Sequence, residues 1–404
     1  MEDWITAKNS SSNGQKVNVP KLRFPGFEGE YVEFRIGEIY AERNERGEPE
    51  KELLSVTQND GVVPRSEIDG KNNASEDRSN YKVVRIGDMV YNSMRMWQGA
   101  NGISSLDGIV SPAYTVLCPR TEIVNGYFAV LFKTPGLINE FRKNSQGLTS
   151  DTWNLKYPQI SRIRVYIPSV QEQRKIAELL SRLDARIEAQ HQLVESLKKY
   201  KRGVMQHIYS SSSKTWVCVR LGNIFKKVSR RNTDGKIKNV ITNSAECGLI
   251  PQRDFFDKDI AVEGNTSNYY VIETGDFVYN PRKSNTAPYG PFNRYTLKDS
   301  GIISPLYTCL VLQTDIDPSY LAWYFKSVAW HRYIYDNGSQ GVRHDRVSMT
   351  DDLLMGIPVA VPPSDKQKQI AQMLDTIEAR LLAAQSEYAL LEKVQKGFMQ
   401  QLFI

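Results

Sequence analysis

Ile167-Pro-Ser-Val-Gln-Glu-Gln-Arg-Lys-Ile-Ala177 recurs as Val361-Pro-Pro-Ser-Asp-Lys-Gln-Lys-Gln-Ile-Ala371, at an offset of 194. Each copy opens a long run free of proline, with Pro168 or Pro362-Pro363 just before the start and Ser169 or Ser364 placed to cap it. Apolar residues then follow a 3,4 alternation: Ile176, Leu180, Leu183, Ile187, Val194 and Leu197 in the first run, broken by the polar Gln190. Ile370, Leu374, Ile377, Leu381 and Leu391 take the corresponding places in the second. This period is that of a helix with one apolar stripe. At a rise of 1.5 Å per residue, about 40 residues make a helix roughly 60 Å long. A single helix of that length cannot cover its own stripe, so the two are expected to pair as an antiparallel coiled coil.

The repeat extends well beyond these helices. Tyr31-Val-Glu-Phe-Arg-Ile-Gly-Glu-Ile-Tyr40 returns as Trp216-Val-Cys-Val-Arg-Leu-Gly-Asn-Ile-Phe225, and Gly87-Asp-Met-Val-Tyr-Asn92 as Gly275-Asp-Phe-Val-Tyr-Asn280. Gly108-Ile-Val-Ser-Pro-Ala-Tyr-Thr115 returns as Gly301-Ile-Ile-Ser-Pro-Leu-Tyr-Thr308. The offset drifts only from 185 to 194, as small loop insertions in two copies of one unit would produce. Outside the helices, short β-branched and aromatic runs broken by Gly, Pro, Asn and Asp read as strand and loop. Tyr127–Lys133 and Tyr320–Lys326 read as short buried helices. The expected fold class is α/β (α+β). Two similar globules are expected, separated by the paired helices and related by a pseudo-twofold axis.

The segments are then a flexible tail over 1–20, a first globule over 21–168, a first long helix over 169–209 and a polar linker over 210–215. A second globule over 216–362 and a second long helix over 363–404 complete the chain. The short linker places the second globule at the far end of the first helix, so the expectation is a dumbbell. Heads some 50 to 60 Å apart suit double-stranded DNA, whose turn is about 34 to 36 Å.

Composition allows this reading without forcing it. The 404 residues carry 52 Lys and Arg against 46 Asp and Glu, a formal charge of +6, which permits a polyanionic partner and does not require one. Hydrophobic residues at 40% are enough for real cores. The four cysteines lie far apart and suggest neither a zinc site nor disulfides, no stretch is apolar enough for a membrane span, and a cytoplasmic location is expected. No phosphate-binding glycine loop, Gly-x-Gly-x-x-Gly or His-Glu-x-x-His is present, so no metal site and no catalytic residue is expected. Asn280-Pro-Arg-Lys283 opens like an adenine methyltransferase motif but lacks its second proline and aromatic ring.

Taken together, these motifs resemble the specificity subunit of type I restriction-modification systems. The resemblance covers nearly the whole chain and rests on Pro20-Lys-Leu-Arg-Phe-Pro-Gly-Phe27, the paired Gly-Asp-x-Val-Tyr-Asn and Ser-Pro-x-Tyr motifs, and Ile167–Ala177 leading into a long helix. The second copy departs from the family's pattern at Asp365-Lys-Gln367, where helix and register are expected to persist and one local contact to differ. The resemblance implies a non-catalytic subunit with two target-recognition domains, each reading one half of a split, asymmetric DNA target. It implies two methylation subunits that bind S-adenosylmethionine, and two motor-nuclease subunits that use ATP and Mg²⁺. It implies no cofactor in this chain. The helices become a ruler and a docking surface.

Candidate DNA-contacting residues fall in polar and cationic loops at equivalent places. After Gly-Asp-x-Val-Tyr-Asn these are Asn92, Arg95 and Trp97 in the first head, and Asn280, Arg282 and Lys283 in the second. Arginine and lysine suit guanine edges or phosphates. Trp97 is read first as packing its loop and only second as a wedge or stacking platform. Before each closing strand come Gln146, Thr149, Ser150 and Asn154, and then Gln340, Arg343, His344 and Arg346. The basic run Lys226-Lys-Val-Ser-Arg-Arg231 is a weaker candidate for phosphates. The rival reading is a coiled-coil scaffold joining two protein-binding heads, favoured if positive charge is scattered rather than gathered. A nuclease or methyltransferase acting alone is a third.

Overall fold

The computed structural model describes residues 5–6, 18–58, 60–70, 74–149, 152–210, 216–255, 266–338 and 345–404. The chain divides into two compact units, Met1–His191 with Ser386–Ile404, and Gln192–Gln385. Each unit therefore holds one globule and a stretch of both long helices, where the sequence suggested separate spacer segments.

Apart from one additional strand pair near the start of the first, the two globules repeat one another strand for strand among the described residues. The main sheet of the first unit has the order Tyr40–Glu42, Tyr114–Pro119, Met89–Asn92, Asn101–Ile103. That of the second has Phe225–Val228, Thr308–Leu312, Phe277–Tyr279, Phe292–Arg294. Val32–Arg35 pairs with Arg164–Ile167, as Val217–Arg220 pairs with Pro358–Val361. Lys82–Val84 pairs with Gly108–Val110, as Tyr270–Ile272 pairs with Gly301–Ile303. A hairpin of Leu54–Thr57 and Gly61–Pro64 corresponds to one of Ile241–Ser244 and Gly248–Pro251. Every ladder between these strands is antiparallel, so the globules are α+β.

The repeated motifs are folding devices. Gly87 and Gly275 take φ of +89° and +98°, a left-handed turn that favours glycine. The aspartate that follows closes that turn. Asp88 accepts from the Arg85 N–H at 2.8 Å and holds the Arg43 guanidinium at 2.7 and 3.0 Å. Asp276 does the same with the Glu273 N–H at 2.9 Å and with Arg230. The Val and Tyr of the motif, Val90 and Tyr91 or Val278 and Tyr279, are buried in the sheet.

The long helices run Val170–Ser210 and Ser364–Gln401. A buried glutamine fastens each start. Gln173 donates to the Pro168 carbonyl at 3.0 Å and accepts from the Val124 N–H at 3.2 Å, and Gln367 donates to Pro362 at 2.8 Å and accepts from Asp317 at 2.7 Å. One interaction is not repeated: Glu172, 1% exposed, receives a two-pronged bond from Arg23 at 2.9 and 2.8 Å, whereas Lys366 at the equivalent place is exposed. The departure at Asp365-Lys-Gln367 thus removes one buried ion pair and leaves the glutamine clamp intact.

Within each unit the two helix stretches run antiparallel. In the first, Asp184 accepts from Gln395 and Arg186 pairs with Glu387 at 2.7 Å. In the second, Lys201 pairs with Glu378 at 2.7 Å. Leu183, Ile187, Leu197 and Leu391 are half-buried on the stripe, and Leu381 is buried. The ends of the stripe differ from a bare coiled coil. Ile176 and Leu180 enter the first globule's core with Tyr127, Phe128 and Leu402, and Ile370, Leu374 and Ile377 enter the second's with Tyr320, Tyr324 and Met205. The first turns lie against a globule, so these five residues serve helix–globule packing as well as helix pairing.

Of the expected tail, Ile5–Thr6 and Asn18–Pro20 are described. Ile5–Thr6 pairs antiparallel with Leu22–Arg23, so that part is an added strand rather than a loose segment. The linker residues 211–215 lie outside the described residues. No helix of the described residues is long and apolar enough to cross a membrane.

Candidate nucleic-acid interface

The two candidate loops of each globule, far apart in sequence, meet in space. In the first, the Leu155 N–H donates to the Ser93 carbonyl at 2.8 Å, and Trp97 packs edge-on against Trp153 with ring centroids 5.2 Å apart. In the second, the Val347 N–H donates to Pro281 at 2.9 Å and the Lys283 N–H to Asp345 at 2.8 Å, while Arg282 and Arg346 form an antiparallel bridge. Ser93 and Pro281 are equivalent positions of the repeat, and Leu155 and Val347 make the matching bond to them.

Exposed cations sit on this joined surface. Arg95 and Arg282 are exposed, Lys283 is half-buried, and Arg346 is half-buried beside Asp345 at 3.8 Å. Burial raises the pKa of the Tyr307 hydroxyl, against the opposing pull of the Arg282 and Arg346 cations. The tyrosine of the second Ser-Pro-x-Tyr motif therefore lies within the field of both arginines. Its counterpart Tyr114 shares a hydrogen bond of 3.2 Å with Ser55 and lines a cavity of about 540 Å³ with Asn92, Met94 and Arg65. The second head has a cavity of about 790 Å³ beside Lys283, Ser284, Tyr289 and Asp345.

The remaining candidates divide. Gln146 and Thr149 are exposed, on a loop closed by two backbone bonds of 3.0 and 2.8 Å between Gln146 and Asn154. Asn154 is half-buried with its carboxamide oxygen enclosed. Ser150, Gln340, Arg343 and His344 lie outside the described residues. Asn280 is corrected: it is 6% exposed, accepts from the Arg282 N–H at 3.0 Å and donates to Asn243 at 3.4 Å, so it shapes the loop rather than facing a ligand. Asn92 makes the same turn by accepting from the Met94 N–H at 3.0 Å. Trp97 is the brace of its loop, its indole N–H donating to Met94 at 3.1 Å.

Two of the four cations in the basic run 226–231 are held in ion pairs. Lys227 meets Asp351 at 2.6 Å, and Arg230 meets Glu273 at 2.7 Å as well as Asp276. Sequence reading missed the hairpin that carries Ser55 beside the first cavity. Its signal was present in the match of Gly61-Val-Val-Pro64 with Gly248-Leu-Ile-Pro251. Among the described residues no group of three His, Cys, Asp or Glu is placed to hold a metal ion.

Residues 28–199 match the family model of the type I restriction modification DNA specificity domain. The chain is 21% identical over 370 residues to a putative type I restriction enzyme MjaX specificity subunit of Methanocaldococcus jannaschii, with 81% of this chain and 80% of that protein covered. Its fold is similar to the type I restriction-modification S subunit of M. genitalium, with a TM-score of 0.57 at 13% identity, covering 96% of this chain and 99% of that one. It is also similar to the HsdS subunit of Thermoanaerobacter tengcongensis, with a TM-score of 0.50 at 17% identity, covering 94% and 97%. The matched domain occupies residues 28–199, the second half repeats its strands, and the chain is thus similar in both halves to type I restriction-modification specificity subunits.

Proposed function

We propose that this chain is the DNA-recognition subunit of a type I restriction-modification complex, non-catalytic itself, with each globule reading one half of a split target. The observation that carries the reading is the joined pair of loops: the same backbone bond brings them together in both globules, while their side chains differ. Shared framework with different loops suits two unlike half-sites, since identical heads related by a twofold would read a palindrome. Arg95, Gln146 and Thr149 would serve one half-site, and Arg282, Lys283 and Arg346 the other, through base edges and phosphates. The long helices would set the spacer.

The partners are DNA and the other subunits of the complex. Two methylation subunits and two motor-nuclease subunits are proposed, and S-adenosylmethionine, ATP and Mg²⁺ belong to them. The test is methylation sequencing of cells that express this chain with its methylation subunit, against cells lacking this chain. Methyladenine at a split motif with an unread spacer of about 5 to 8 base pairs is expected, with the two read halves about one helical turn apart. Unchanged methylation on deletion, with no duplex bound at low salt, would favour the scaffold reading instead.

A further inference from the structure

The first long helix carries Lys198-Lys-Tyr-Lys-Arg202 within the second unit, four cations in five residues. The equivalent stretch of the second helix is Glu392-Lys-Val-Gln-Lys396, so the excess positive charge belongs to one half only. Against this face lies a groove of about 770 Å³. Lys198, Lys201 and Arg202 form one wall, and Lys326, Ser327 and Thr286 of the globule the other. Among the described residues no carboxylate lines it.

Three features describe what this groove accepts. Its charge is incompletely neutralised: Lys198 meets Glu195 at 2.8 Å and Lys201 meets Glu378 at 2.7 Å, but Arg202 makes no ion pair among the described residues. Lys326 lies 4.6 Å over the Trp323 ring. The floor of Met205 and Tyr209 gives the lysine and arginine stems an apolar bed while their charged heads stay at the rim. Finally, Thr286 belongs to the loop that carries Arg282 and Lys283, so the groove adjoins the candidate base-reading surface. Lysine, arginine and hydroxyl side chains together are the usual partners of DNA phosphates, which position a protein without reading sequence.

We infer that this groove holds the sugar-phosphate backbone of DNA beside the second half-site, with Lys198, Arg202 and Lys326 on phosphate oxygens. The inference rests on the DNA-recognition reading above and extends it to a surface outside the two loops. It is tested with the chain in complex with its methylation subunit. The probes are a 40-base-pair duplex bearing the motif found by methylation sequencing and a duplex with that motif scrambled, each titrated by fluorescence anisotropy across a range of KCl. The triple variant Lys198→Gln, Arg202→Gln, Lys326→Gln should lower the slope of log affinity against log salt by about 0.9 for each phosphate it no longer neutralises, so by roughly 2 to 3 in all. The weakening should be alike on both duplexes, and the methylated motif unchanged. A wild-type slope in the triple variant would overturn the inference. So would dissociation of the methylation subunit with the slope retained, which would give the groove to an acidic protein surface. A wild-type complex that binds neither duplex at low salt would sink the DNA-recognition reading itself, and the groove assignment with it.

Discussion

The backbone N–H of Leu155 donates to the carbonyl oxygen of Ser93 at 2.8 Å, joining two loops that the sequence holds about sixty residues apart. The equivalent bond from Val347 to Pro281, at 2.9 Å, shows that the junction belongs to the repeated framework and not to one head. Framework bonds of this kind fix where side chains are displayed and leave their identity free to vary. Specificity can then change by loop substitution without disturbing the core.

Replacement of one displayed arginine is expected to affect one half-site only. Arg95→Ala should weaken binding through the first half-site, and Arg282→Ala through the second, each by about 1 to 3 kcal/mol if the guanidinium makes a two-pronged contact to guanine. Competition with duplexes mutated in one half at a time separates the two. If both variants lose affinity equally for every duplex, the arginines bind phosphates instead.

Removal of a helix clamp should cost stability locally. Gln173→Leu leaves the Val124 N–H and the Pro168 carbonyl without their partner, and Gln367→Leu does the same to Asp317 and Pro362. A buried polar group left unpaired costs about 1 to 3 kcal/mol. Each variant should therefore lower the denaturation midpoint, and the pair should add, since they share no partners. A midpoint within error of wild type would show that water replaces the missing bonds.

The fold was legible because the repeat and the helical stripe are properties of spacing. Ile176, Leu180, Ile370 and Leu374 could be placed on a buried face from period alone. What they pack against could not be read, because periodicity says which residues share a face and nothing of the neighbour. The candidate site was legible to the level of loops. That the loops meet depends on a backbone bond between residues with no sequence signature, such as Ser93 and Leu155. Asn280 shows the limit from the other side: an asparagine in a polar loop suits either a base contact or a turn, and only its burial at 6% exposure decides for the turn.

The Arg23–Glu172 pair separates the two halves energetically. Both side chains are buried and joined at 2.8 Å, and the second half has no counterpart at Lys366. Glu172→Ala leaves Arg23 charged and buried, and should destabilise by about 3 to 5 kcal/mol. The double variant Arg23→Met, Glu172→Leu removes both charges and should recover most of that stability. Thermal unfolding of the single and double variants checks the pair, and a double variant no better than the single would show that shape, not charge balance, dominates there.

The second half should carry its own acid sensitivity. His331 packs against Tyr289 and Trp330 with ring centroids 4.9 Å away in each case, and burial lowers its pKa from the ordinary 6.5 to about 4. The folded state thus favours neutral imidazole, while the unfolded chain takes up a proton near the ordinary value. A group whose folded pKa is depressed in this way contributes stability that is complete above pH 6.5 and is lost as pH falls from there to about 4. His331→Gln cannot charge, so its stability should lose this part of the pH dependence. Melting temperatures of the two proteins across pH 4 to 7.5 give the check. The gap between them should shift in the variant's favour as the solution is acidified below about 6.5, whereas parallel curves would mean that His331 is solvated in the folded protein.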